Sequence, residues 1–140
     1  MSYAPVELSI PAEHRYLNII AACIGDLLAR EEGLVEPAIT TYNIQLAVQE
    51  ISANIVDHAY GAASGRIAIT MQVLCQPHRM VIQLLDTGVA FNPASVATPD
   101  LDEIHEGGYG LFLARSLLDD LSYNTRPDGN IWRLTKRLDV

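Results

Sequence analysis

Positions 67 to 85 constrain the fold more than any other stretch, because they hold two strands in immediate succession. Ile67, Ile69, Met71, Val73 and Cys75 alternate with Ala68, Thr70, Gln72 and Leu74, and a period of two gives a strand with one apolar face. Gln76-Pro77-His78-Arg79 supplies a turn of hairpin length, and residues 80–85, MVIQLL, form an almost wholly apolar strand. Two antiparallel, central strands are expected. Neighbouring strands joined in this way exclude the regular strand–helix alternation of a doubly wound fold.

The rest of the chain supplies partners for that hairpin. Val6, Leu8 and Ile10 alternate within residues 3–10, a short edge strand closed by Pro11. The spacing of Leu17, Ile20, Ala21, Ile24, Leu27 and Leu28 predicts a helix over residues 12–29, ended by Glu31-Glu32-Gly33. Pro37 suits the first turn of a second helix, which runs to Tyr60 with Ile44, Ala47, Val48, Ile51 and Ile55 as its apolar stripe. Residues 89–106 keep no period, and a connection of that length inside a compact domain is most often a lid or a binding loop. A lid that a ligand orders is expected there. Gly107-Gly108-Tyr109-Gly110 then opens a third helix, marked by Leu111, Ala114, Leu117, Leu118 and Leu121. Residues 122–125 read as a strand, Pro127-Asp128-Gly129-Asn130 as a turn, and 131–138 as the last strand, with Trp132, Leu134 and Lys136 on one face. The order predicts a single α+β domain over residues 1–140, a two-layer α/β sandwich whose mixed, mostly antiparallel sheet has helices packed on one face.

Charge narrows the function. A net charge of -8, with Lys136 as the one lysine, leaves no basic patch for a nucleic-acid backbone. A bound polyphosphate would instead be held by backbone amides, helix N-termini, Arg or Mg²⁺. Cys23 and Cys75 lack CxxC spacing and are expected to be buried thiols. No apolar run reaches spanning length and the start, MSYAPVELSI, has neither the basic nor the apolar part of a signal peptide, so a cytoplasmic protein is expected.

Within the second helix Glu50, Asn54 and His58 recur every fourth residue beside the apolar stripe. Such a ladder is either a solvated pair with a histidine at the helix end or the wall of a site. As a site wall, Asn54 offers a neutral oxygen suited to Mg²⁺, and Glu50, one turn earlier, can take a proton from an attacking hydroxyl or water. Asp86 closes the apolar strand, where its carboxylate either makes an Asx-turn before Gly88 or accepts a hydrogen bond from an exocyclic amine such as that of adenine. Gly107, Gly108 and Gly110 before a helix are either a flexible joint or a set of free N–H groups for an anion. The chain has no GxxxxGK[ST], HExxH, GxSxG or EF-hand loop.

Read together, AVQEISANIVDHAYG, DTGVAFNP and EGGYGLFLARSLLDDLSY resemble, in this order and spacing, the N box and the two glycine boxes of the histidine-kinase-like ATPase superfamily with the Bergerat fold. The resemblance covers nearly the whole chain and is greatest to the short anti-sigma factor serine kinases. It implies that Glu50 is the general base, Asn54 the Mg²⁺ ligand and Asp86 the adenine acceptor, with Gly88, Ala90, Gly107, Gly108, Tyr109, Gly110 and Leu111 around the nucleotide. His58 and Tyr60 match the end of the N box, where helix termination and packing are their implied roles. ATP and Mg²⁺ are the implied cofactors. The implied activity is phosphate transfer to a serine of a small anti-anti-sigma partner of the STAS type, with a sigma factor held in turn by a homodimer, and no direct contact with nucleic acid or membrane. The alternative is a binding protein that uses ATP only to lock a conformation. Two departures stand out. Ala90 occupies a place where the first glycine box often has a second Gly, which implies a stiffer lid hinge. Gly129-Asn130 stands where many relatives have Gly-Thr, which removes a hydroxyl near the base.

Overall fold

In the computed structural model, which describes residues 3–61, 63–90 and 109–140, Val6–Pro11 (β1), Arg66–Leu74 (β2), Arg79–Asp86 (β3), Asp120–Arg126 (β4) and Gly129–Arg137 (β5) form one sheet in the order β1-β2-β3-β5-β4. The expected hairpin is β2–β3, with Met71 opposite Ile82 and Val73 opposite Met80, so the apolar faces of both strands coincide. Every pairing among the described strands is antiparallel, so the parallel member that a mixed sheet would contain is not among them. β1 is an edge strand as expected, and β4 is the other edge. Cys75 belongs to the turn after β2 rather than to its apolar face, and both cysteines are half-buried free thiols.

Three helices cover the apolar side: Leu17–Leu28 (α1), Pro37–Asn54 (α2) and Tyr109–Leu117 (α3). The chain before α1 is held to the sheet edge by Ala12 N–H donating to Gly65 O at 2.8 Å, so a 3₁₀ turn at His14–Tyr16 precedes the helix and α1 starts later than its apolar spacing suggests. Gln45 of α2 donates Nε2 to Ala21 O at 2.9 Å, close beside Gly25, which fastens α2 against α1. Between helices and sheet lie Leu17, Ile20, Ile24, Ile44, Ile51, Ile69, Met71, Ile82, Leu84 and Leu134, each no more than 2% exposed. Burying each of these stabilises the fold by about 1.5–3 kcal/mol before the cost of ordering the chain is counted. No helix among the described residues is long and apolar enough to cross a membrane.

Two elements depart from the expected boundaries, and both bear on the site. The second helix is α-helical only to Asn54; Ile55–Tyr60 forms a π-helical turn, ended by Gly61 at φ 56°. Its wider i→i+5 bonding buries Ile55, Val56 and Ala59 together while Asp57 and His58 stay outside. The ladder of Glu50, Asn54 and His58 therefore ends at Asn54. In turn, α3 stops at Leu117, because Asp119 is captured by β5: its N–H donates to Thr135 O at 3.0 Å and its Oδ2 accepts Arg137 N–H at 2.6 Å. Leu121 then faces Leu134 across the β4–β5 pair instead of extending the helix.

Candidate functional site

At the end of β3 nearest α2, Asp86 is 4% exposed and stands in register with Asn130 of β5. Asp86 Oδ1 accepts Gly88 N–H at 2.9 Å, so the Asx-turn is formed, and it also accepts Asn130 Nδ2 at 2.8 Å. Burial pushes the carboxyl above its ordinary range, and the bonds from Asn130 and Gly88 pull it part of the way back. Asn130 was expected in a turn, as a lost hydroxyl. It is instead the second residue of β5, 4% exposed, and it also donates to Gly88 O at 3.1 Å. The signal for this lay in strand phase: Asn130, Trp132 and Leu134 are two apart and must share the face turned to the helices.

The loop after β3 is sewn onto the π-helical turn. Thr87 N–H donates to the Tyr60 hydroxyl at 2.9 Å, that hydroxyl donates to Arg66 O at 2.7 Å, and Val89 N–H donates to Ala59 O at 2.7 Å. Tyr60 thus does more than end the helix. Its ring lies over Gly65, where an added Cβ would stand 2.1 Å from a ring carbon. Tyr60→Phe keeps the ring and removes the hydroxyl's bonds to Arg66 O and Thr87 N–H and its 3.3 Å contact with Thr87 Oγ1. The expected result is a loss of about 1 kcal/mol in urea unfolding, with secondary structure unchanged by circular dichroism.

Glu50 and Asn54 share one face of α2, a turn apart. The Glu50 carboxylate reaches the first turn of α3, where a Cβ added to Gly110 would stand 2.2 Å from Glu50 Oε2. Asn54 Nδ2 is buried with no hydrogen-bond partner among the described residues. A half-turn of the amide exchanges its nitrogen and oxygen, so this orphaned group fits a cation ligated through Oδ1. Among the described residues no three His, Cys, Asp or Glu side chains are grouped to hold a metal ion, so a cation here would draw its remaining oxygens from its ligand and water.

Asn54, Ala59, Asp86, Val89, Tyr123 and Trp132 line one cleft of about 10 Å³. Of these, Tyr123 and Trp132 pack against each other with ring centroids 4.4 Å apart and planes tilted by 48°. The geometry therefore gathers Asn54, Asp86 and Gly88, and brings Glu50 to Gly110. Tyr109, at the start of α3, is partly exposed and packs edge-on to Phe112. Leu111 is 1% exposed, so its side chain belongs to the core and only its backbone is available to a ligand. Ala90 is exposed beyond Val89. Gly107, Gly108 and the expected lid beyond Ala90 lie outside the described residues. His58 is exposed and off the Glu50–Asn54 row. A wider groove of about 720 Å³, lined by His14, Val56 and Arg66 among others, contains none of these groups.

An antiparallel sheet backed by helices, with an Asn-bearing helix facing a buried Asp–x–Gly loop, defines a class of ATP-handling domain. The chain belongs to the histidine kinase-like ATPase domain family, whose profile matches residues 10–136. Its architecture is the Bergerat fold. It is 30% identical over 128 residues to the serine-protein kinase RsbW of Bacillus thuringiensis (strain Al Hakam), an alignment that covers 85% of this chain and 76% of that protein, and it is equally similar to RsbW of Bacillus cereus (strain AH820). In structure it is similar to the RsbU and RsbW domains of Rv1364c from Mycobacterium tuberculosis, with a TM-score of 0.68 at 20% identity over 97% of this chain and 33% of that one. It is also similar to the histidine kinase domain of the blue-light activated kinase EL346 from Erythrobacter litoralis, with a TM-score of 0.58 at 21% identity over 92% of this chain and 62% of that one. At such identities these two structures speak for the fold alone. The chain spans about a third and about three fifths of their lengths.

Proposed function

We propose that the protein is an ATP- and Mg²⁺-dependent protein serine kinase that also acts as an anti-sigma regulatory factor. It phosphorylates a serine of a small anti-anti-sigma partner of the STAS type and, as a homodimer in the cytoplasm, sequesters a sigma factor. The single observation that carries this reading is the convergence of a buried, doubly bonded Asp86 and an orphaned Asn54 amide on one cleft, in a chain 30% identical to serine-protein kinases.

In this reading Asp86 accepts the adenine amine. Gly88, Ala90, Gly107, Gly108, Tyr109, Gly110 and the Leu111 backbone surround the nucleotide. Asn54 would hold Mg²⁺, which when bound neutralises charge on the transferring phosphoryl group. Glu50 accepts the proton of the serine hydroxyl as general base, and Gly110 leaves room for its carboxylate at the start of α3. The test is incubation with γ-labelled ATP and a cognate STAS-type domain. Mg²⁺-dependent label on that domain is the expected result. Nucleotide binding without any label would leave a switch that sequesters its target and transfers nothing.

Asp86 adds a pH signature. Its amine-accepting form is the carboxylate, so affinity for ADP is expected to fall as pH drops through its raised pKa. Stability moves the other way. With the folded pKa above the ordinary value of 3.8, the folded state takes up the proton first, so the contribution of Asp86 to stability is present at low pH and is lost as pH rises through that window. Asp86→Asn is expected to remove both dependences, weaken ATP binding and reduce the preference over GTP. Calorimetric titrations and thermal melts across pH 3.5–7 check this, and an unchanged binding profile would remove the assignment.

A further inference from the structure

Asn130 makes two donations at the point where base recognition is assigned. Its Nδ2 donates to Asp86 Oδ1 at 2.8 Å and to Gly88 O at 3.1 Å, and both Asn130 and Asp86 are 4% exposed. The other donor on Oδ1 is Gly88 N–H at 2.9 Å. Both donors load the same oxygen, and Asp86 Oδ2 has no hydrogen-bond partner among the described residues. A carboxylate held in this way offers one acceptor in one direction. Such an acceptor rewards an N–H donor and repels a carbonyl oxygen, which is how a buried polar site discriminates between ligands of equal size.

We propose that Asn130 is the positioning residue that sets base selectivity: by clamping Asp86 Oδ1 and the Gly88 carbonyl, it commits Asp86 Oδ2 to an exocyclic amine and makes the site reject a purine carrying a carbonyl there. The inference rests on the nucleotide reading above and assigns its specificity to a residue that acts through Asp86. Cutting Asn130 back to alanine leaves a polar void against Asp86 Oδ1, and a water molecule entering from the helix-facing side can occupy it and supply the missing donor. Leucine fills the space, excludes water and supplies no donor.

The experiment is calorimetric titration of the full chain with ADP and with inosine diphosphate, which has a carbonyl where ADP has its amine. The parent is expected to bind ADP on the order of 10- to 100-fold more tightly than the inosine form, as one charge-assisted hydrogen bond provides. Asn130→Leu is expected to bring that ratio within about 3-fold through loss of ADP affinity alone; unchanged affinity for inosine diphosphate reports that the variant is folded. Asn130→Ala is expected to fall between the two. A side chain that merely filled space would give the reverse order, since alanine leaves the larger void. If the leucine variant does not fold, the alanine variant decides: a ratio cut by about 3-fold or more supports the proposal, and an undiminished one overturns it. A full ratio in Asn130→Leu beside a collapsed one in Asp86→Asn overturns the role of Asn130 while leaving the nucleotide site in place. A parent with no preference at all overturns both.

Discussion

Glu50→Gln is expected to lower phosphate transfer to a serine acceptor by about 10²- to 10⁴-fold, the range a positioned general base supplies, while ADP affinity and melting temperature stay within about two-fold and a degree or two of the parent. The substitution suits the geometry. The Glu50 carboxylate already lies against Gly110, so an amide of the same size leaves no void and adds no clash, yet it cannot take up the serine proton. Single-turnover transfer to a STAS-type acceptor, measured beside ADP titration, separates chemistry from binding. A fall of less than about ten-fold would remove Glu50 from the role of base.

Gly88→Ala and Gly110→Ala should fail in opposite ways, because of what the new methyl group meets. At Gly88 the Cβ would stand 2.3 Å from Ala59 O and 2.6 Å from Ala59 C, and neither backbone atom can move aside. The loop must lift, which breaks the Val89 N–H to Ala59 O bond and the Gly88 N–H to Asp86 bond. A loss of about 2–4 kcal/mol in urea unfolding is expected, together with loss of ADP binding. At Gly110 the nearest atom is Glu50 Oε2, the far end of a flexible side chain, which can swing away. Stability is then expected to change by less than about 1 kcal/mol, whereas phosphate transfer falls by about ten-fold or more as the base is displaced. Equal stabilities for the two variants would contradict the packing described for Gly88.

Much of this was legible in the sequence where local pattern and tertiary pairing agree. The alternation from Ile67 through Leu85 specified the β2–β3 hairpin, and Pro37 marked the start of α2. The rest depended on contacts that spacing does not encode. Leu121 has helical spacing from Leu117, but β5 draws the chain into β4, where a period of two serves the same leucine equally well. The change to a π-helical turn after Asn54 is invisible because the apolar stripe continues through Ile55 and Ala59 under either period. Turn chemistry at Pro127-Asp128-Gly129-Asn130 masked the strand phase of Asn130, and with it the side chain that braces Asp86. Of the proposed roles, the resemblance implied one site for Asn54 and Asp86, which line one cleft, whereas the approach of Glu50 to Gly110 is a packing result of α2 against α3.

The stitching of the loop after β3 to the turn that follows Asn54 has a mechanical corollary. Under the proposed assignments, the side chains given to the purine and to the cation are mounted on one lever, with Tyr60 and the Ala59 carbonyl as its rivets. A displacement at either end is then expected to reach the other, so tighter ADP binding in the presence of Mg²⁺ is the expected result.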